Sequence, residues 1–228
     1  MCRGLSVCSE LGSNPGQWDR ECLLRPPAWI GTCIDTFIEA MDCLIKGNRN
    51  GCLELLKKIQ EREKAFTNWY IEHGQISGNH RARILKHSRP AAISTALDPV
   101  RNASKKLEVE ILKRDHYHCR YCGCRLIDRK VLQAFVDTLA SPLLTRGSTN
   151  LEKHGVILAS WPYIDHVVPH SLGGRTDAGN LVSSCYSCNF GKDGYTCEQV
   201  GISNPRSRDP LNDGWDGLQS RLPLLKRL

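Results

Sequence analysis

The sequence of 228 residues contains no long apolar run. No stretch approaches the roughly 18 consecutive apolar residues that a membrane-spanning helix needs, and the N-terminus lacks the apolar segment and cleavage site of a secretory signal. Walker motifs, glycine-rich dinucleotide loops and nucleophile elbows are also missing. These absences predict a cytoplasmic protein that does not bind membranes, and they exclude the ATP-driven enzymes and hydrolases that carry such motifs.

Acidic residues are outnumbered, because 24 aspartates and glutamates stand against 31 lysines and arginines, which gives a formal net charge of +7. A positive surface attracts a polyanion through the release of condensed counterions, without any sequence preference. Many proteins that never touch nucleic acid have a similar charge. The charge therefore supports a nucleic-acid partner only where a motif already indicates one.

Cysteine is plentiful, with 12 residues, and in a reducing compartment this composition favours metal ligands and free thiols over disulfides. Two Cys-x-x-Cys pairs, Cys119 with Cys122 and Cys185 with Cys188, have the spacing of a tetrahedral four-thiolate zinc site. Cys124 and Cys197 lie near these pairs and are second choices as ligands. The other six are irregularly spaced and are expected to be small buried hydrophobes: Cys2, Cys8, Cys22, Cys33, Cys43 and Cys52.

The sequence is organised around residues 165–189, where an Asp-His pair leaves a short apolar strand, a Gly-Gly turn follows, and a Cys-x-x-Cys-Asn closes the segment. This pattern, over about residues 107–195, resembles the HNH endonuclease family, in particular its zinc-containing members with paired Cys-x-x-Cys motifs. The last motif position is an asparagine where many members have histidine. The residues that carry the resemblance are Cys119, Cys122, Asp165, His166, Pro169, Gly173, Gly174, Asn180, Leu181, Cys185, Cys188, Asn189 and Lys192.

The resemblance implies an α+β fold: a ββα-metal nuclease centre with a four-cysteine zinc site, preceded by a mainly helical N-terminal region. It also implies divalent-metal-dependent hydrolysis of DNA phosphodiester bonds, with RNA not excluded as a substrate. His166 is the expected general base, because an imidazole with a pKa of about 6.5 can take a proton from water at neutral pH. Asp165 and Asn189 are the expected ligands of the catalytic metal, and such hard oxygen ligands favour Mg²⁺ or Mn²⁺.

Three further residues have predicted roles near this centre. Asn180, by its resemblance to the middle asparagine of the family, is expected to bond the backbone of the hairpin loop and to fix His166. Arg175 and Lys192 are candidates for phosphate contacts, with ordinary surface charge as the alternative. His170 occupies a variable position of the family and is interpreted as a surface residue.

The remaining sequence is divided into three parts. Residues 1–104 are predicted to be mainly helical, with helices over 33–46 and 52–73 and a basic linker after them. Residues 105–200 form the predicted nuclease domain, including an insertion at 125–160 that is a candidate for substrate selection. Residues 201–228 are predicted to be an irregular tail that packs on the nuclease domain.

The favoured function is therefore an HNH endonuclease in restriction or anti-phage defence. A mobile-element nuclease and a phage DNA-processing nuclease use the same centre and stay open as alternatives. A zinc-dependent nucleic-acid-binding module that does not catalyse is the alternative from another class. A protein partner, or a second copy of the chain, is expected to bind through the N-terminal helical region.

Overall fold

A computed structural model of the chain describes residues 21–23, 25–73, 97–150 and 152–228. Residues 1–20, and most of the basic linker predicted after the second helix (residues 75–105), lie outside these ranges. None of the helices in the described parts of the chain is both long enough and apolar enough to cross a membrane.

The described elements are helices with one short hairpin. In chain order they are α1 (Ala28–Ile45), α2 (Arg49–Gln60), α3 (Glu63–His73), α4 (Lys105–Arg114), α5 (Arg129–Leu139), α6 (Gly155–Ser160), β1 (Tyr163–His166), β2 (Leu181–Ser184), α7 (Tyr186–Lys192) and α8 (Leu222–Leu225). Short 3-10 turns occupy His170–Leu172, Pro205–Ser207 and Gln219–Arg221. The α+β fold with a helical N-terminal region is therefore confirmed.

Helices α1 and α2 form a helical hairpin. Helix α1 begins five residues earlier than expected, because Pro27 can precede a helix and the apolar spacing already starts at Ile30, which is buried. Gly47, with a φ of 78°, turns the chain after α1, and the Asn48 side chain caps α2 by accepting a hydrogen bond from the Gly51 amide. The apolar face of α1 thus packs against the apolar face of α2.

The single helix expected over residues 52–73 is in fact two helices, with a turn at residues 61–62. The Arg62 amide bonds the Ile59 carbonyl, which tightens the end of α2, and the chain changes direction there. The new direction brings Phe66 into the core, where its ring centroid lies 4.9 Å from that of Trp29. A Cβ atom at Gly155 would lie 2.4 Å from the Phe66 Cβ, so the approach of α3 to α6 requires glycine at that position.

One apolar core joins both sides of the predicted boundary at residue 104. Phe37 of α1 packs edge to face on Phe135 of the insertion helix α5, with ring centroids 5.2 Å apart. Leu218 and Leu225 of the C-terminal tail are buried in the same core, and Arg221 pairs with Asp42 of α1. The tail therefore packs on the N-terminal helices as well as on the insertion.

Residues 156–160, an apolar run in the sequence, form helix α6. Its six residues are all buried, and the Nδ1 atom of His154 accepts a hydrogen bond from the Val156 amide at its start. The next residues, Trp161 and Pro162, end the helix, and β1 follows directly. The insertion thus delivers the chain into the hairpin.

Candidate functional site

The hairpin places the Asp-His pair at the end of a strand. Strands β1 and β2 pair antiparallel, with Asp165 opposite Val182 and His166 opposite Leu181. Helix α7 follows β2 after Cys185 and returns Asn189 toward β1. This order of strand, loop, strand and helix is the ββα arrangement expected from the sequence.

Helix α4 and the residue that follows it bond to strand β2 of the hairpin. The guanidinium of Arg114, at the end of α4, donates to the Leu181 carbonyl at 2.8 Å. Asp115 is fully buried and accepts a hydrogen bond from the Ser183 amide at 2.8 Å. Arg114 also donates to this carboxylate at 2.8 and 2.9 Å, and Arg120 of the first cysteine turn donates to it at 3.1 Å. One buried carboxylate therefore ties helix α4, strand β2 and the cysteine turn together.

Asn180 closes the long loop between the two strands. Its amide oxygen accepts from the Val168 backbone nitrogen at 2.8 Å, and its amide nitrogen donates to the carbonyls of Val168 and Arg175 at 2.9 Å each. Glycine is required at position 174, because a Cβ atom there would lie 1.8 Å from the Val168 carbonyl oxygen. Gly173 has a φ of 86°, which favours glycine. Asn180 thus bonds the backbone at both ends of the segment from Val168 to Arg175.

Three of the predicted site residues line one cleft of about 750 Å³: Asp165, His166 and Asn189. Arg101 and Arg129 also line this cleft. Carboxylate and amide oxygens are donors that Mg²⁺ and Mn²⁺ prefer, so this donor set fits a hard divalent cation. The positive charge in the cleft walls comes from these two arginines, which lie among acidic side chains that line the same cleft.

Asp165 has two buried partners that the sequence did not predict. The hydroxyl of Tyr121 donates to its carboxylate, and the ammonium of Lys192 lies 3.1 Å from one carboxylate oxygen. Burial raises the pKa of Asp165, while Lys192 and the tyrosine hydroxyl oppose that rise. Lys192 is only 1% exposed, so its position differs from the open one that a direct phosphate contact requires. The sequence signal for Tyr121 was its place inside the first Cys-x-x-Cys pair.

His166 is held in an environment that disfavours its charged form. Burial, together with the neighbouring His170, Lys192 and Arg101, lowers its pKa to about 4. The Nε2 atom lies 3.0 Å from the hydroxyl oxygen of Thr176. A neutral imidazole at pH 7 has one lone pair free to accept a proton, which is the state that a general base needs.

Thiols converge on the other side of the hairpin. The sulfur atoms of Cys119, Cys122, Cys124 and Cys185 all lie within 4.8 Å of one another, and the Cys188 thiol interacts with those of Cys119, Cys122 and Cys185. The sulfur atoms of Cys122 and Cys185 are 3.7 Å apart. A tetrahedral zinc with bonds of about 2.3 Å separates its sulfur ligands by roughly 3.8 Å, so the cluster fits a zinc ion.

Five thiols therefore surround a site that takes four ligands. The two Cys-x-x-Cys pairs were predicted as the ligand set, but the group of four sulfur atoms within 4.8 Å of one another includes Cys124, a second choice, and leaves out Cys188. Cys124 approaches the cluster through the turn of the first pair, in which the Cys119 amide donates to the Cys124 carbonyl and Gly123 has a φ of 76°. Cys197, the other second choice, is buried outside this cluster.

Two further residues of the loop differ in exposure. The Arg175 side chain is 79% exposed and lies 3.2 Å from the carboxylate of Asp177, which leaves it accessible to a phosphate. The Nε2 atom of His170 donates to the backbone carbonyl of Asp98 at 2.8 Å, and its ring centroid is 5.9 Å from that of His166. His170, interpreted as a surface residue, is thus half-buried against the chain segment that precedes α4.

Comparison with known proteins gives one match, and it falls on this hairpin and helix. Residues 163–193 match the model of the HNH endonuclease family. No curated protein and no solved structure matches the chain. The matched residues begin with β1 and end just after α7, so they include His166, Asn180 and Asn189. With the four-cysteine cluster beside it, this segment identifies the chain as one that carries an HNH endonuclease motif.

Proposed function

We propose that the chain is a divalent-metal-dependent endonuclease that hydrolyses DNA phosphodiester bonds, with a structural zinc held by Cys119, Cys122, Cys185 and Cys188. The observation that carries this proposal is that Asp165, His166 and Asn189 line one cleft. A cation-binding pair of oxygen donors next to a neutral imidazole is the combination that phosphodiester hydrolysis requires.

His166 acts in this proposal as the general base that takes a proton from the attacking water. Its pKa of about 4 keeps the imidazole unprotonated at neutral pH, so the base is available in nearly every molecule. A Mg²⁺ or Mn²⁺ ion bound through Asp165 and Asn189 would supply positive charge to the phosphoryl oxygens and to the leaving 3′ oxygen. Asn180 acts through the loop, since its three backbone hydrogen bonds fix the residues after His166.

The substrate is bound mainly through its phosphates. Arg101 lines the cleft beside His166, and Arg175 is exposed on the loop that His166 precedes. Arg129 also lines the cleft, although Glu108 neutralises part of its charge at 3.1 Å. Such contacts hold a nucleic acid without reading its sequence. A role in restriction or anti-phage defence is our preferred setting, and the outer face of α1 and α2 is the surface we assign to a protein partner.

A second candidate function is a zinc-dependent nucleic-acid-binding module without catalysis. One observation favours it: Asp165 already accepts hydrogen bonds from Tyr121 and Lys192, so a cation would have to share this carboxylate with them. The experiment that separates the two functions is a cleavage assay on plasmid DNA, single-stranded DNA and RNA with Mg²⁺, Mn²⁺, Ca²⁺ or chelator. Metal-dependent cleavage of DNA supports the nuclease. Binding without cleavage in every condition supports the module.

A further inference from the structure

The hydroxyl of Thr176 lies between His166 and a distant part of the chain. Its oxygen is 3.0 Å from the Nε2 atom of His166, and the same hydroxyl hydrogen-bonds to the backbone carbonyl of Val100. Val100 precedes Thr176 by 76 residues and lies outside the segment that matches the HNH family. The contact therefore links the candidate base to a segment that the motif does not contain.

The protons in this contact can be assigned from the chemistry of the three groups. A carbonyl oxygen only accepts hydrogen bonds, so the single hydroxyl proton of Thr176 points to Val100. The hydroxyl oxygen is then left as an acceptor toward His166. A neutral imidazole carries one proton, and an acceptor at Nε2 requires that proton to be on Nε2. The Nδ1 atom of His166 consequently keeps its lone pair, and within the described parts of the chain no hydrogen bond reaches it.

The segment that supplies the Val100 carbonyl is itself fixed by Asp98. One carboxylate oxygen of Asp98 accepts from the Thr176 amide at 2.8 Å, and the other accepts from the Val100 amide at 2.9 Å. The Asp98 carbonyl also accepts from the His170 Nε2 atom at 2.8 Å. Both neighbours of the His166 ring are thus attached to residues 98–100, which determines where the Val100 carbonyl points.

We propose that Thr176 is a positioning residue, which holds His166 in the tautomer with a proton on Nε2 and ties the orientation of the ring to residues 98–100. This inference rests on the proposed nuclease function and adds to it a positioning residue whose anchor lies outside the matched motif. The charged groups that face the His166 ring are His170, Lys192, Arg101 and Asp98, and none of them replaces the hydroxyl as a hydrogen-bond acceptor at Nε2.

The first test does not depend on catalysis. Nitrogen-15 NMR of the histidine rings at pH 7, on the full chain without nucleic acid, is expected to place the His166 proton on Nε2. Exchange of that proton with water should be at least about tenfold faster in Thr176→Val, because the valine removes the acceptor and keeps the shape. Thr176→Ser should exchange within about threefold of the wild-type rate. Thr36→Val is the matched control, since the Thr36 hydroxyl also bonds a backbone carbonyl but lies on α1.

Asp98→Ala provides a second variant if Thr176→Val does not fold. It releases the segment that carries the Val100 carbonyl, and the exchange of the Nε2 proton should again be faster. A proton found on Nδ1 in the wild-type protein would overturn the inference. So would an exchange rate in both variants that stays within twofold of wild type.

The second test is kinetic. Thr176→Val should lower kcat for DNA cleavage about tenfold with KM nearly unchanged, a factor typical for the loss of one hydrogen bond, and Thr176→Ser should recover most of the rate. A Thr176→Val enzyme that cuts as fast as wild type contradicts the inference. If the wild-type protein cuts no substrate, the proposed function fails, while the NMR experiment still decides whether Thr176 fixes the tautomer.

Discussion

The ammonium nitrogen of Lys192 lies 3.1 Å from a carboxylate oxygen of Asp165, and the two side chains are only 1% and 8% exposed. The same ammonium donates to the backbone carbonyl of His166 at 2.9 Å. Burying a charge without a partner costs desolvation free energy, and in this pair each charge offsets part of that cost for the other. Helix α7 is thereby connected to both residues of the Asp-His pair on β1.

Lys192→Met should destabilise the protein by about 3–5 kcal/mol at neutral pH, because it leaves the Asp165 carboxylate buried without its cation. Urea unfolding in the absence of divalent metals measures the effect. The double variant Asp165→Asn with Lys192→Met removes both charges and should recover most of the loss. Lys58→Met, on the exposed face of α2, is the control and should change the free energy of unfolding by less than about 0.5 kcal/mol.

His166→Ala should reduce metal-dependent cleavage by a factor of about 10² to 10⁴, the usual cost of losing a positioned general base. Folding, zinc content and DNA binding should stay close to wild type, since the base contributes only to the reaction. Single-turnover cleavage and a binding titration in chelator measure the two properties separately. His116→Ala is the matched control, because His116 does not line the cleft. Equal rates for His166→Ala and wild type would show that another group is the base.

Zinc should be present at one ion per chain and should be lost from the variant Cys185→Ser with Cys188→Ser. Since zinc binding and folding of such a site are coupled, the variant should also lose the structure of the hairpin. Metal analysis and circular dichroism are the measurements. Cys43→Ser, a half-buried thiol on α1 outside the cluster, is the control. A comparison of Cys124→Ser with Cys188→Ser identifies the fourth ligand, and we expect only Cys188→Ser to lose zinc.

His154 should make the protein less stable as the pH falls. Burial lowers its pKa to about 4 in the folded state, against about 6.5 when unfolded. The unfolded chain therefore binds a proton first, so the stabilising contribution is complete above about pH 6.5 and decreases toward pH 4, by on the order of 3 kcal/mol. His154→Asn keeps a capping side chain for α6 and should flatten this dependence. The lowered pKa of His166 also makes the protein less stable at low pH, so His154→Asn should leave part of the pH dependence of the unfolding free energy.

DNA binding should weaken steeply between low and physiological salt, because each cation that contacts a phosphate releases counterions. Arg175→Ala should reduce the slope of log affinity against log salt by about one. Lys58→Ala, on α2 and remote from the cleft, should leave the slope unchanged. Fluorescence anisotropy in chelator, at several salt concentrations, gives both slopes. Binding that does not respond to salt would exclude the exposed arginines as the contact surface.

The sequence by itself determined the hairpin, the helix that follows it and the paired cysteines, because these features depend on residues close together in the chain. The Asp-His pair, the glycine turn and Asn180 have fixed spacings, and the loop geometry follows from them. Helices α1 and α2 were likewise predictable, since a period of three to four apolar residues needs no knowledge of the packing partner. Their starts were misplaced by a few residues, as capping depends on single side chains.

Only the tertiary structure decided which partners the site residues have. Tyr121 precedes Asp165 by 44 residues and Lys192 follows it by 27, and neither contact can be read from local spacing. The same holds for the break after α2, which occurs because Phe66 must reach the core. The pairing of Thr176 with Val100 depends on how a segment before α4 folds back onto the loop. Hydrogen bonds between distant residues form only where packing of the whole chain brings them together, which is why the local motif could not predict these contacts.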